Sequence, residues 1–245
     1  MNILMLVLAL SGWRTDPKDG RELLRAMHDR YNGKWYKTLT FVQNNTAYLP
    51  GDSVQHSQWF ERARIPGFLR IDFRIDAQGK PTSGGALFAR DSQFNVTGDT
   101  VGAGTAFIHP LMVLGFDVYS QPIERTISQM QTLGYDLAIL HADTWQNRPV
   151  WVVGAPAGDV HHKQFWVDQE RLVCVRVISP GQRDTTRTSD ILYNDYRPAG
   201  QGWVAAQMLF SVDGQRRWLE EYVDIKTDTP VSEAVFDLKQ WKATK

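Results

Sequence analysis

Gly158-Asp159-Val160-His161-His162 is the stretch of this 245-residue sequence best supplied for metal or acid–base chemistry. One carboxylate and two imidazoles within five positions have the donors to hold a cation or move a proton. The flanking residues read as a strand, though, and a strand turns His161 and His162 to opposite faces, so the two cannot share one ion. Asp159 with either histidine, set beside an apolar cavity, is the least that a lipid hydrolase would need. The bland reading, a surface strand with one inward imidazole, is preferred. His109 precedes Pro110 and reads as a helix-start residue rather than a base. Asp168 and Glu170 fall at a hairpin in VDQER and read as turn residues. Glu220 and Glu221 are adjacent on a strand and therefore point to opposite sides. Gly98–Gly104, GDTVGAG, lacks the strand–helix setting of a phosphate loop and reads as flexible turn. The lone cysteine, Cys174 in LVCVRV, reads as a small buried hydrophobe, and one cysteine cannot form an intramolecular disulfide. No GxSxG, HExxH or phosphate-loop pattern occurs, so no catalytic residue, metal ligand or cofactor is assigned.

The elements that would position any such group are mostly strands. Between residues 35 and 225 short runs alternate apolar and polar residues. In Gly67–Ile75, Leu69, Ile71, Phe73 and Ile75 share one face while Arg70, Asp72 and Arg74 share the other, a clean period of two. About eleven strands joined by short turns result, with Asp213-Gly214 as a two-residue hairpin signal. The helices that a parallel sheet needs between its strands are missing from the pattern. Ahead of the strands, Asp19 caps a helix whose Leu23, Leu24, Met27 and Tyr31 fall on one face, and Asn32-Gly33 ends it. The alternation breaks at residues 107–134, which predict two short helical pieces. Leu111, Leu114 and Val118 line the first. After Pro122, Ile123, Ile127, Met130 and Leu133 line the second, and Gly134 stops it. A long antiparallel sheet with one apolar helical insertion is the build of an apolar pocket with a lid or plug.

The bulk numbers agree with that build and exclude other classes. With 42% hydrophobic residues a sizeable core can be buried. Lys+Arg and Asp+Glu are both 27, so no basic excess exists to hold phosphate backbones, and nucleic acid is not an expected partner. No run reaches the roughly 18 apolar residues of a transmembrane helix. Ile3–Leu10 is an unbroken apolar stretch, and Ala9 and Ser11 are small residues two apart, although no Lys or Arg precedes Arg14. Residues 1–15 are accordingly expected to be a signal-peptide remnant, with the mature chain starting between Gly12 and Asp16. No linker or repeat divides the rest, so 16–245 is expected to be a single domain.

Several stretches together resemble the LolA/LolB-like family of periplasmic outer-membrane lipoprotein-sorting proteins. A helix with paired leucines, Glu22–Tyr31, leads into a strand bearing Trp and Phe. Trp59–Ile71, WFERARIPGFLRI, is similar to the family's strand–Pro–strand segment. Gln164–Val177, QFWVDQERLVCVRV, is similar to a hairpin in which a Val-Asp turn separates two strands. Glu221–Leu238, EYVDIKTDTPVSEAVFDL, resembles the closing strand, its Pro-containing turn and a terminal Phe-x-hydrophobic. The resemblance covers nearly the whole chain after residue 15, through diffuse patterns rather than a fingerprint. It implies a mainly antiparallel β (α+β) fold: a curved, half-open β-barrel with an apolar concave face, an N-terminal helix and short helices that move to admit acyl chains. The family's sorting carrier has an Arg directly before this Pro that helps hold the lid. Here Ile65 stands in that place, and Arg64 is the nearest residue to which the lid-holding role could pass.

The function expected from these readings is a non-catalytic, exported periplasmic carrier or chaperone that binds the acyl chains of a lipoprotein or lipid, with envelope donor and acceptor proteins as further partners. Expected cavity walls are Leu39, Phe41, Trp59, Leu69, Ile71 and Phe73 from the strands, with Leu111, Leu114, Ile123, Ile127 and Met130 from the helices. The alternative is an envelope sensor or interaction module that grips a protein partner through the same concave sheet.

Overall fold

Alternation along the strands decides which side chains go where, and the order of the strands decides what covers them. The computed structural model describes residues 16–244. The expected signal-peptide remnant lies outside the described residues. Helix α1, Gly20–Tyr31, starts where Asp19 Oδ1 accepts the Glu22 amide at 2.8 Å, and it buries Leu23, Leu24, Met27 and Tyr31. A first antiparallel meander follows: β1 (Thr38–Tyr48), β2 (Val54–Arg64), β3 (Phe68–Ile75), β4 (Gly84–Ala89), β5 (Ser92–Thr97) and β6 (Thr100–Val101), with β7 (Thr105–Ala106) also pairing with β5. A second meander runs β8 (Leu140–Trp145), β9 (Arg148–Val153), β10 (Gln164–Asp168), β11 (Cys174–Pro180), β12 (Thr188–Ala199), β13 (Gly202–Val212) and β14 (Gln215–Thr227). β14 returns to pair with β1, so one continuous antiparallel sheet runs from β6 to β8. It is curved and does not close, because β6 and β8 are its two edges.

This topology explains the helical insertion. The chain leaves the β7 side of the sheet and must reach the opposite edge at β8 before it can meander back. Residues 107–139 make that crossing with α2 (Pro110–Gly115), a 3-10 turn (Asp117–Tyr119) and α3 (Ile123–Thr132). Their apolar faces pack against α1 and the sheet: Leu114 and Met130 are fully buried, with Val118, Ile127 and Tyr119 beside them in the main core. Tyr119 stacks on Trp35 with ring centroids 3.8 Å apart. The helices thus plug one end of the curved sheet.

Fourteen strands form where alternation suggested about eleven. Two of them are two residues long: β6 falls inside the Gly98–Gly104 segment expected to be plain turn, and β7 directly follows it. A strand that short carries no period to read. Asp213 and Gly214 turn as expected, both at positive φ (52° and 75°). A different departure concerns His161 and His162. Strand β10 begins only at Gln164, so both histidines lie in the preceding turn rather than on a strand.

The outer face of β3–β5 is covered by the C-terminal segment. Val235 and Phe236, from a 3-10 turn (Glu233–Phe236), and Trp241, directly after a second (Leu238–Gln240), pack with Leu87 and Val96 into a second, smaller core.

Candidate ligand cavity

The inner face of the sheet can be followed row by row from the strand register. On β1 the inward residues are Leu39, Phe41, Gln43 and Asn45, all at 2% exposure or less. Phe41 pairs with Glu61 on β2, which pairs with Ile71 on β3, which pairs with Ala86 on β4. On the other side, Asn45 pairs with Glu220 on β14, then Met208 on β13 and Tyr193 on β12. These side chains do not meet across the curve. They leave a cavity of about 580 Å³, within the roughly 300–1,000 Å³ typical of small-molecule sites.

Most of the lining is hydrocarbon or aromatic, and the helical crossing supplies the cover through Phe107, Leu111, Met112 and Phe116. Among the expected wall residues, Phe41, Trp59, Leu69, Ile71, Phe73 and Leu111 line this cavity. Leu39 is on the same face but buried below it, and Leu114, Ile127 and Met130 are sealed in the packing between the helices and the sheet. Ile123 is partly buried against that same core. Arg64 lies on the outer side of β2, where it pairs with Glu233 and sits 4.2 Å from the Phe68 ring centroid. Its partners therefore belong to the C-terminal segment and not to the helical cover. Asp117 makes the link between that cover and the β2–β3 turn, accepting the Gly67 amide at 2.9 Å. Burial pushes the Asp117 carboxyl up to about 7.

A polar band crosses the apolar wall. Glu220 accepts hydrogen bonds from Trp218 Nε1 at 3.0 Å and from Tyr222 Oη at 2.8 Å. Gln43 donates to Asn45 at 2.7 Å beside them. Burial raises the Glu220 carboxyl to about 7, against the downward pull of the Tyr222 and Trp218 donors. Glu61, 4% exposed, is pushed well above the ordinary carboxylate range, first by burial and then by the nearby Glu220. No Lys or Arg is among the residues lining the cavity. Two further polar groups there have no partner among the described residues: Tyr193 Oη and His109 Nδ1. His109 stands edge-on to Phe88 at 4.7 Å, and burial lowers its imidazole to about 4.

Sequence reasoning passed over Glu61, Gln43 and Asn45, and set Glu220 aside as one of two adjacent strand carboxylates. The signal was present, since Glu61 has the parity of Trp59, and Gln43 and Asn45 have the parity of Phe41. Attention to apolar residues hid it. The second half of the wall, with Val177, Ile191, Tyr193 and Met208, follows only from β14 pairing with β1.

The other candidate groups stay apart from the cavity. The Asp159 carboxylate accepts the His161 and His162 amides at 2.8 and 3.0 Å, and these hydrogen bonds, with the His162 ring beside them, hold it down at about 2. His161 Nδ1 is 2.7 Å from Thr188 Oγ1. None of the three residues lines the hollow. Burial pushes Asp168 up, but hydrogen bonds from Arg148 and Arg171 outweigh it and hold it at about 2, tying β9 to the β10–β11 turn. Cys174 is buried, its thiol raised to about 12 by that burial, so it is no thiolate nucleophile at neutral pH.

The same architecture occurs in solved structures. A DUF1329 family protein from Desulfovibrio piger superposes with a TM-score of 0.63 at 13% identity, covering 94% of this chain and 100% of its own. A LolA superfamily protein from Nitrosomonas europaea gives 0.57 at 10% identity, covering 87% and 97%. A putative outer membrane lipoprotein-sorting protein domain from Vibrio parahaemolyticus gives 0.48 at 12% identity, covering 90% and 97%. No family model and no curated protein sequence matches the chain. The fold is LolA-like, as the sequence resemblance implied. No helix among the described residues is long and apolar enough to cross a membrane.

Proposed function

We propose that residues 16–245 form one carrier domain of the periplasm that takes the hydrocarbon chain of a lipid or acylated lipoprotein into the sheet's hollow, without catalysing a reaction on it. The observation that supports this most directly is the 580 Å³ cavity itself, walled by apolar side chains and left open by the curvature of the sheet. Each buried methylene contributes about 0.8 kcal/mol, so a chain of about fourteen carbons offers on the order of 10 kcal/mol before ordering costs. The helical cover, with Leu111 facing the hollow, is the part of the wall that a chain must pass or displace. The LolA-like fold, found also in the LolA superfamily protein from Nitrosomonas europaea, supports the same reading.

The test is binding of a fluorescent amphiphile to the full chain and to Ala86→Phe, which puts a ring into the hollow from β4. The probe is expected to bind the parent and to be lost or weakened at least tenfold, about 1.4 kcal/mol, in the variant. Equal binding by both, with the variant folded, places the amphiphile elsewhere and removes the carrier reading.

A further inference from the structure

The cavity is apolar but not neutral. Glu61 and Glu220 both line it, on strands that flank β1 from either side, and no Lys or Arg among the described residues lines it with them. The titratable groups on that lining are the two glutamates, His109 ahead of α2, and tyrosines 135, 193, 196 and 222. Trp218 and Tyr222 donate to Glu220, and donors aimed at a carboxylate favour its charged form. Aromatic rings share the lining with both acids: Phe41 stacks on Tyr222 with centroids 4.2 Å apart, and Trp59 lies 5.2 Å from Phe73. Carboxylates framed by aromatic faces are the surroundings that attract an ammonium group. A fatty-acid carboxylate placed there would instead add a negative charge beside two acids in a low-dielectric space.

A hydrocarbon tail alone leaves the buried Glu61 carboxyl with neither a hydrogen-bond partner nor a counter-charge among the described residues, an arrangement that protein interiors disfavour. A hydroxyl or carbonyl could accept a proton-bearing Glu61, yet it gives Glu220 nothing that Trp218 and Tyr222 do not already supply. An amine satisfies both. It donates to either carboxylate, neutralises the charge, and keeps its alkyl chain against Leu69, Ile71, Phe73 and Met208.

We infer that the cavity's ligand is a cationic amphiphile, a hydrocarbon chain bearing an amino group that is held between Glu61 and Glu220. This rests on the carrier reading and narrows it by naming the head group. The unpartnered Tyr193 hydroxyl, on the same wall, offers a further contact to a polar linkage along the chain.

The experiment is displacement of the neutral fluorophore N-phenyl-1-naphthylamine from the full chain at pH 7.5 by dodecylamine, dodecanol and laurate, each below its micelle concentration. Dodecylamine is expected to displace at about tenfold lower concentration than either of the others. The amine-to-alcohol ratio is expected to fall about tenfold in Glu61→Gln and also to fall in Glu220→Gln. Laurate or dodecanol matching the amine on the parent protein overturns the inference, whatever the variants do. So does an unchanged ratio in a folded Glu61→Gln. Either result leaves the carrier reading standing, whereas that reading falls if the fluorophore and all three amphiphiles fail to bind.

Discussion

The two faces of β2 and β3 bury charge in opposite ways. On the outer face, Arg70 is fully buried, yet every polar contact is met: Nη2 is 2.8 Å from Asp72 Oδ1 and 2.9 Å from the Trp241 carbonyl. Nη1 donates to the Val235 carbonyl at 2.9 Å and to Thr244 Oγ1 at 2.6 Å, and the guanidinium lies 3.7 Å from the Trp241 ring centroid. Arg62 adds a second cation on Asp72. On the inner face, one residue along from Arg62, Glu61 has no cation beside it among the described residues and lines the cavity. A buried ion pair completed by carbonyl acceptors is a structural clasp, here fastening the C-terminal segment over the sheet. A buried acid left without a counter-charge beside a hollow is unfinished, and a ligand is what finishes it.

The sharpest way to break this comparison is Arg70→Met. If the outer cluster is a clasp, losing its central cation leaves Asp72 with Arg62 alone and the Val235 and Trp241 carbonyls without their donor, and lowers unfolding stability by about 3–5 kcal/mol in urea titrations. A loss under about 1 kcal/mol would place the clasp on the same footing as an exposed ion pair. Next comes Glu61→Leu on the inner side. There the sign reverses: replacing an unneutralised acid by hydrocarbon is expected to raise unliganded stability by about 1–2 kcal/mol at pH 8. A destabilisation of that size would mean the acid already has its partner.

The two faces also differ with pH. Glu220, at about 7 in the folded protein against an ordinary 4.5, makes the folded state the better proton binder between those values. Its contribution to stability is therefore full below pH 4.5 and declines as pH rises toward and beyond 7. Glu61 and Asp117, also raised, act in the same direction. Asp168 runs the other way: its hydrogen bonds stabilise above its ordinary 3.8 and are lost as pH falls toward 2. Denaturation midpoints from pH 4.5 to 8 should fall more steeply for the parent than for Glu220→Gln, and parallel slopes would dismiss the inner acids as the cause. The smallest effect belongs to Arg25→Ala, which removes the exposed pair with Glu124 between α1 and α3. Stability should change by no more than about 0.5 kcal/mol and amphiphile binding should not move. A larger drop in binding would assign that pair to the cover.

Much of the strand pattern was legible in the chain because alternation is a local property. Leu69, Ile71 and Phe73 against Arg70 and Asp72 announce two faces of β3 without any neighbour being known. The helical crossing was equally plain from Pro110, Pro122 and Gly134. Site assignment on those helices was less complete, since Leu111 edges the hollow while Leu114, three residues on, is sealed in the core. Helical spacing puts both on one face and cannot say which part of that face meets a void. The histidine pair was misplaced because strand β10 starts later than its flanking residues suggested.

Taken alone, the order of residues determined the period of each element, the ends of the helices and the parity that sets Glu61 beside Trp59. It left open where β14 would go. Only the tertiary pairing of β14 with β1 brings Glu220 to the same hollow as Glu61, across more than 150 residues of chain. Only the packing of residues 233–244 on the outer face supplies Arg70 with its carbonyl partners. The reason is physical: a period is read from neighbours along the backbone, whereas a counter-charge or its absence is a property of what lies opposite in space.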